Sequence, residues 1–154
     1  MRQVPASCVS LFPGYSTRWA AKEIGYALSD MDMSSATSIY NYMRPIMQDL
    51  TIEEAHVMLL NQNFKLIKEF RVSQGGLTEV RVDVRMIIKE AVLNNASVLA
   101  FVHNHPSGNI HPSSFDDKLT QTIKKACDLM RIHFLDHVIV CDGDYYSYRE
   151  RGRL

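Results

Sequence analysis

The sequence predicts an α/β protein: a mixed β-sheet with flanking helices, preceded by a short N-terminal helical arm. Two observations carry this. From about Thr51 onward, segments of strand character alternate with segments of helical period, in the order strand-rich, helix, strand, helix, strands. Within that order SVLAFV, at 97–102, is a short apolar run of the kind that forms a strand covered on both faces. The chain has 154 residues, enough for one domain of about a hundred residues and an arm.

The arm spans residues 1–50 and the main domain 51–154. In the arm, Trp19, Ala20, Ile24, Ala27, Leu28 and Met31 recur at roughly helical spacing. Ser34-Ser35 can cap a second helix carrying Ile39, Tyr42, Met43 and Ile46, which Pro45 limits near its end. Such helices pack on the main domain or on a partner, so the arm is a candidate surface for a homo-oligomer. In the main domain, HVMLL and FKLIKEFRV flank Asn61-Gln62-Asn63 and predict two strands joined by a tight turn. Gly75-Gly76 breaks the chain before a short strand, LTEVRV. Asp83 can cap a helix with Val84, Ile87, Ile88 and Ala91 on one side, ending near Asn94-Asn95. After SVLAFV, a long helix starts near Ser113 with Phe115, Leu119, Ile123, Ala126 and Met130 on one face. HVIVC and YYSY, around Asp142-Gly143-Asp144, predict a closing hairpin.

Composition bounds the function. Hydrophobic residues are 46% and charged residues 22%, which are globular proportions. Seventeen Lys and Arg balance seventeen Asp and Glu, which argues against a protein that works chiefly by gripping phosphate backbones. No apolar run approaches the ~20 residues of a membrane span, and the N-terminal stretch lacks a signal-peptide core. Cys8, Cys127 and Cys141 are scattered, with no CxxC pair, and predict reduced, buried thiols in a cytoplasmic protein.

The chemistry concentrates after the apolar strand, in His103-Asn104-His105-Pro106-Ser107-Gly108 and the segment to Asp116. In an extended backbone, residues two apart share a face, so His103 and His105 can bring two imidazoles to one point. Pro106 stops ladder pairing and Gly108 permits a sharp return. Asp116 then arrives in the first turn of a helix, where exposed N–H groups favour a carboxylate. Two imidazoles and one carboxylate are a three-ligand set for zinc, with a fourth position left for water. Ser113 and Asp116 also have the spacing of a helix capping box, and capping would itself hold Asp116 toward a metal.

The stretch from His103 to Asp116 resembles the JAMM motif of the JAB/MPN metalloproteases, in the HNHPSG form of the RadC-like branch. VDVRMIIKEAVLNNASVLAFVHNHPSG, PSSFDDKLT and LDHVIVCDGDYYSY resemble that branch in order and spacing, over roughly residues 34–152. The resemblance implies the MPN fold, which is related to that of the cytidine deaminases. The deaminases' HxE…PCxxC arrangement is absent here. The family's upstream glutamate pattern, E-x-F-x-V-L-x-L-D, falls on IEEAHVMLLN so that its spacing selects Glu53 over Glu54. The implied activity is zinc-dependent hydrolysis of a peptide or isopeptide bond. His103, His105 and Asp116 would hold the metal, Glu53 would move the proton, and Ser113 would hydrogen-bond the developing oxyanion.

A second reading is a non-enzymatic, DNA-repair-associated or partner-binding module that keeps the metal for structure. The arm carries four basic and four acidic residues and shows no helix-hairpin-helix segment, so nucleic acid is not the expected main partner. The expected partner is a peptide or protein substrate. Other residues are read conservatively: His111 as a solvated loop side chain, and His56 and His133 as edge positions without ligand spacing. His137 is read as a buried, hydrogen-bonded core residue, with a contact to a metal ligand as its functional alternative. Arg85 suits an interior ion pair or a substrate contact, and Arg149, Arg151 and Arg153 a solvated end.

Overall fold

The structure, a computed structural model, describes residues 31–75 and 82–154. Among these, five strands form one mixed sheet with three helices on it. Helix α1 is Ala36–Met47, followed by strands β1 (Glu54–Leu60) and β2 (Leu66–Gln74), helix α2 (Val84–Leu93) and strand β3 (Val98–Asn104). Helix α3 (Ser114–Leu129) and strands β4 (His133–Val140) and β5 (Tyr145–Ser147) complete the chain. The sheet order is β2-β1-β3-β4-β5. β3 and β4 run parallel, joined by the crossover helix α3, and the other pairs are antiparallel. This is the mixed sheet with flanking helices that the sequence predicts.

Every residue of β1 and β3 is buried, as two covered faces require. On one face Met58, Leu60, Ala100, Val102, Val138 and Val140 pack under α1, through Ile39, Met43 and Met47. On the other, Val57, Leu59, Leu99, Phe101 and Phe134 pack under Ile87 and Ala91 of α2 and Ile123 and Cys127 of α3. Residues assigned by sequence to the arm thus share a core with the sheet from Met33 onward. The predicted helix from Trp19, except its last residue Met31, and most of LTEVRV lie outside the described residues.

The caps fall where the side chains predict them. Ser35 accepts from Ser38 N at α1, and Asp83 accepts from Arg85 N at α2. Pro45 does not end α1, which continues to Met47. A proline this close to the terminus breaks only a bond of the last turn. The buried side of α3 differs from the predicted stripe: Thr120, Ile123 and Cys127 face the sheet, whereas Phe115 and Met130 are exposed. The helix is rotated so that a hydroxyl, not an aromatic ring, faces the sheet near Asp116. Arg85 is at the surface, paired with Asp83 across the N-terminus of α2, so it makes no interior ion pair. The C-terminal arginines are engaged rather than simply solvated. Arg153 bonds Asp117 and the Tyr146 hydroxyl, and the Arg149 amide donates to Asp136.

β4 carries one irregularity with consequences for the site. Leu99 pairs with Phe134 but Ala100 pairs with Asp136, so Leu135 is an extra residue, a β-bulge. Leu135 packs with the α1 face, and past the bulge the alternation is reset: Phe134 and His137 lie on the same side of the sheet.

Candidate metal centre

β3 delivers the first ligand. His103 is its penultimate residue, on the α3 face beyond Phe101, and is 2% exposed. The next residue on that side, His105, lies just past the strand, where its amide bonds the Val140 carbonyl. The loop turns back through Gly108 at φ 76°, a left-handed conformation that suits glycine. Asp116 enters from α3 at position N3 of a complete capping box: Ser113 Oγ accepts from Asp116 N at 3.1 Å, and Asp116 Oδ2 accepts from Ser113 N at 2.7 Å. The Ser113 hydroxyl also donates to Asp116 Oδ2 at 2.7 Å, so in this geometry it orients the carboxylate.

The three side chains converge. His103 Nε2 is 2.9 Å from His105 Nε2 and 3.2 Å from Asp116 Oδ1, and His105 Nε2 is 3.5 Å from Asp116 Oδ2. Four-coordinate zinc with bonds near 2.0–2.1 Å separates its ligand atoms by about 3.3 Å, which these distances bracket. The far nitrogen of each ring is already committed. His105 Nδ1 donates to the Asn109 carbonyl at 2.6 Å, and His103 Nδ1 meets His137 Nε2 at 2.7 Å. Two imidazole nitrogens and a carboxylate meeting at one point are a donor set that fits a metal ion.

Electrostatics agree. Burial alone would raise the Asp116 pKa, but hydrogen bonds from His103 and His105, the charge of His103 and the Ser113 hydroxyl hold it far below the carboxylate range. Burial likewise depresses His105, and hydrogen bonds to Asp116 and the Asn109 carbonyl outweigh it, so its pKa ends above the ordinary value. The fully buried His137 is pushed well below the imidazole range, by desolvation first and His103 second.

The triad lies in an open cavity of about 270 Å³ that Glu53, Ser113, His111, Phe115 and Leu119 also line. All five residues singled out by sequence as the site are therefore brought together. Glu53 precedes β1, whose register pairs Ala55 with His103, so two residues further Glu53 stands opposite the His105 end of β3. Glu54 faces away: its carboxylate accepts from Arg71 at 2.9 Å and meets His56 Nε2 at 3.2 Å. Among the described residues the Glu53 carboxylate has no such partner.

Three features have no assigned role in the sequence reading. Asn104, between the two histidines, points to the opposite face and accepts from Glu54 N at 2.7 Å while donating to the Ile52 carbonyl at 3.0 Å. It thereby clamps the backbone on both sides of Glu53, which strand alternation in HNH could have suggested. His56 is buried, not at an edge, and bridges Glu69 at 2.5 Å and Glu54. Thr120 looks like one more polar residue of a helix, yet its hydroxyl reaches His137 Nδ1 at 2.6 Å. His137 is both buried and in contact with His103, so the two readings left open for it coincide.

Fold and cavity together define an α/β protein with a His-His-Asp cluster able to hold a metal ion at the end of a buried strand. Residues 33–153 match the RadC-like JAB domain family, and the chain belongs to that family. It is 39% identical over 145 residues to a UPF0758 protein of Porphyromonas gingivalis, an overlap covering 90% of this chain and 64% of that protein. With a UPF0758 protein of Flavobacterium johnsoniae it shares 37% identity over 120 residues, 78% of this chain and 52% of the relative. A UPF0758 protein of Actinobacillus pleuropneumoniae is 45% identical over 94 residues, 61% of this chain and 43% of that protein. The chain thus spans between about half and two thirds of the length of the first two relatives.

Proposed function

We propose that this chain is a zinc-dependent hydrolase that cleaves a peptide or isopeptide bond. The observation that supports it most directly is the convergence of His103, His105 and Asp116 in a cavity that also holds Glu53. A zinc ion held by these three side chains would lower the pKa of a water to about 7 and polarise a substrate carbonyl. Glu53 then takes the proton of the attacking water and returns it to the leaving amine. Its backbone, held by Asn104 on either side, keeps Glu53 on the lining of the cavity. Ser113 keeps Asp116 oriented, and its hydroxyl turns to the oxyanion as charge develops there. Phe115 and Leu119 line the same cavity and offer an apolar wall for a side chain of a peptide or protein substrate. A reducing, cytoplasmic setting fits the thiols: burial pushes Cys127 up to about 12 and Cys141 up to about 11, which leaves both unreactive.

The test combines metal analysis with turnover. Wild type and Glu53→Gln should carry one equivalent of zinc, and His103→Ala should carry almost none. Against a peptide and isopeptide library read by mass spectrometry, Glu53→Gln should be slower than wild type by about 10²–10⁴-fold. A wild-type protein without stoichiometric metal, or a Glu53→Gln variant as metal-poor as His103→Ala, refutes the assignment.

A further inference from the structure

The hydrogen bonds behind His103 form a chain that crosses three elements and returns to the metal site. Thr120 Oγ1 donates to the Asp116 carbonyl at 2.6 Å. A carbonyl has no proton to give and a hydroxyl has only one, so this bond uses up the Thr120 donor. At its 2.6 Å contact with His137 Nδ1, Thr120 must therefore accept, and Nδ1 must carry the proton. His137 is fully buried, and its two ring nitrogens meet only His103 and Thr120 among the described residues. A neutral ring with its proton on Nδ1 has a bare Nε2, which must accept from His103 Nδ1 across 2.7 Å. His103 thus has Nδ1 committed as a donor to His137, and Nε2 is the atom left facing His105 and Asp116, free to ligate a metal ion once any proton there is displaced.

We propose that Thr120 and His137 are positioning residues that hold His103 in its metal-ligating tautomer and tie it to the helix turn bearing Asp116. This deepens the zinc-hydrolase reading and rests on it only for the identity of the metal. The chain links ligands from two elements: His103 on β3 passes through His137 on β4 to Thr120 on α3, and Thr120 returns to the backbone of Asp116. Packing holds the relay in register. The His137 ring stacks on Tyr148 with centroids 4.7 Å apart and planes 3° apart, and Phe101 meets it edge-on at 4.9 Å. Tyr148 is itself pinned, its hydroxyl donating to Asp117. An imidazole gripped in this way cannot turn to exchange its two nitrogens. Ligating histidines commonly donate their second N–H to a carboxylate or a carbonyl. A histidine acceptor has two tautomers, so it needs Thr120 to choose between them.

Replacing Thr120 by Val keeps the shape and deletes the acceptor. His137 can then carry its proton on Nε2, donate to His103, and so move the His103 proton onto the ligating nitrogen. The test uses the full chain. Zinc affinity, measured by competition with a chromophoric chelator, should fall about 10–100-fold in Thr120→Val. It should stay at the wild-type level in Thr120→Ser, which keeps the hydroxyl. Independently, long-range ¹H–¹⁵N spectra of metal-free wild-type protein should show His103 and His137 both protonated on Nδ1. Thr120→Val should lose that pattern for His137 while its thermal melt remains cooperative. Equal zinc affinity in Thr120→Val and Thr120→Ser, or an Nε2 proton on His137 in the metal-free wild type, overturns the proposal. A wild type that takes up no zinc would remove the hydrolase reading, and the imidazole protons would then decide the relay alone.

Discussion

Ser113 stands at the junction of stability and chemistry, and Ser113→Ala separates the two. Its Oγ makes two bonds within the first turn of α3, accepting from Asp116 N at 3.1 Å and donating to Asp116 Oδ2 at 2.7 Å. Losing the N-cap acceptor costs about 1 kcal/mol. Losing the bond donated to an ionised carboxylate adds about 1 kcal/mol, below the usual range for charged partners because Ser113 is exposed. The Ser113 amide still donates to Asp116, so the turn is weakened rather than lost. The sum is about 2 kcal/mol, which for a domain of this size lowers Tm by roughly 6–12 °C. Ser113→Asn supplies an equally good cap and should recover about half of the loss. It does not restore the hydroxyl, so the hydrolysis proposed above should be impaired in both variants. Thermal and urea unfolding of metal-free protein read the stability. A Ser113→Ala variant as stable as wild type, or a Ser113→Asn variant no more stable than Ser113→Ala, refutes the capping argument.

Two further predictions concern the fold. Ile123 is fully buried between α3 and the sheet, whereas Leu129 at the end of the same helix is 83% exposed. Ile123→Ala should cost about 2–5 kcal/mol in urea unfolding, and Leu129→Ala about 0.5 kcal/mol or less; equal costs would refute the packing described for α3. Asp136 is buried, and desolvation raises its pKa against hydrogen bonds from Ser147 and the Arg149 amide. The folded protein thus holds that proton more tightly than the unfolded chain. Its stabilising contribution is complete below the ordinary carboxylate pKa of about 4 and is lost as pH rises through the raised folded value. Asp136→Asn should therefore gain stability relative to wild type between about pH 4 and pH 7, and a stability difference constant over that range would exclude the shift.

Much of the architecture was legible because each element carries a local signature. The buried β3, the caps Ser35, Asp83 and Ser113, and the Asp142-Gly143-Asp144 turn all lie where pattern and turn chemistry place them. Periodicity was weaker on α3. Its apolar residues suggested a stripe through Phe115 and Met130, but the helix presents Thr120 to the sheet because His137 lies beneath it. Buried polar groups must find partners, and such a demand from a distant strand can outweigh the helix's own pattern. The Glu54–His56–Glu69–Arg71 network was hidden for the same reason: its members become neighbours only through the β1–β2 register.

The sequence alone determined the mixed α/β sheet and the three ligand candidates, because strand alternation in His103-Asn104-His105 and the Ser113–Asp116 spacing are local properties of the backbone. The choice of Glu53 over Glu54 came from the spacing of the family's glutamate pattern, and the structure turns the two carboxylates to different partners. Only the tertiary structure decided what stands behind the ligands. The extra residue Leu135 resets the alternation of β4, and without that bulge His137 would point into the α1 face and never reach His103. A one-residue slip reverses every side chain beyond it, and whether a strand accommodates one depends on the strand it pairs with.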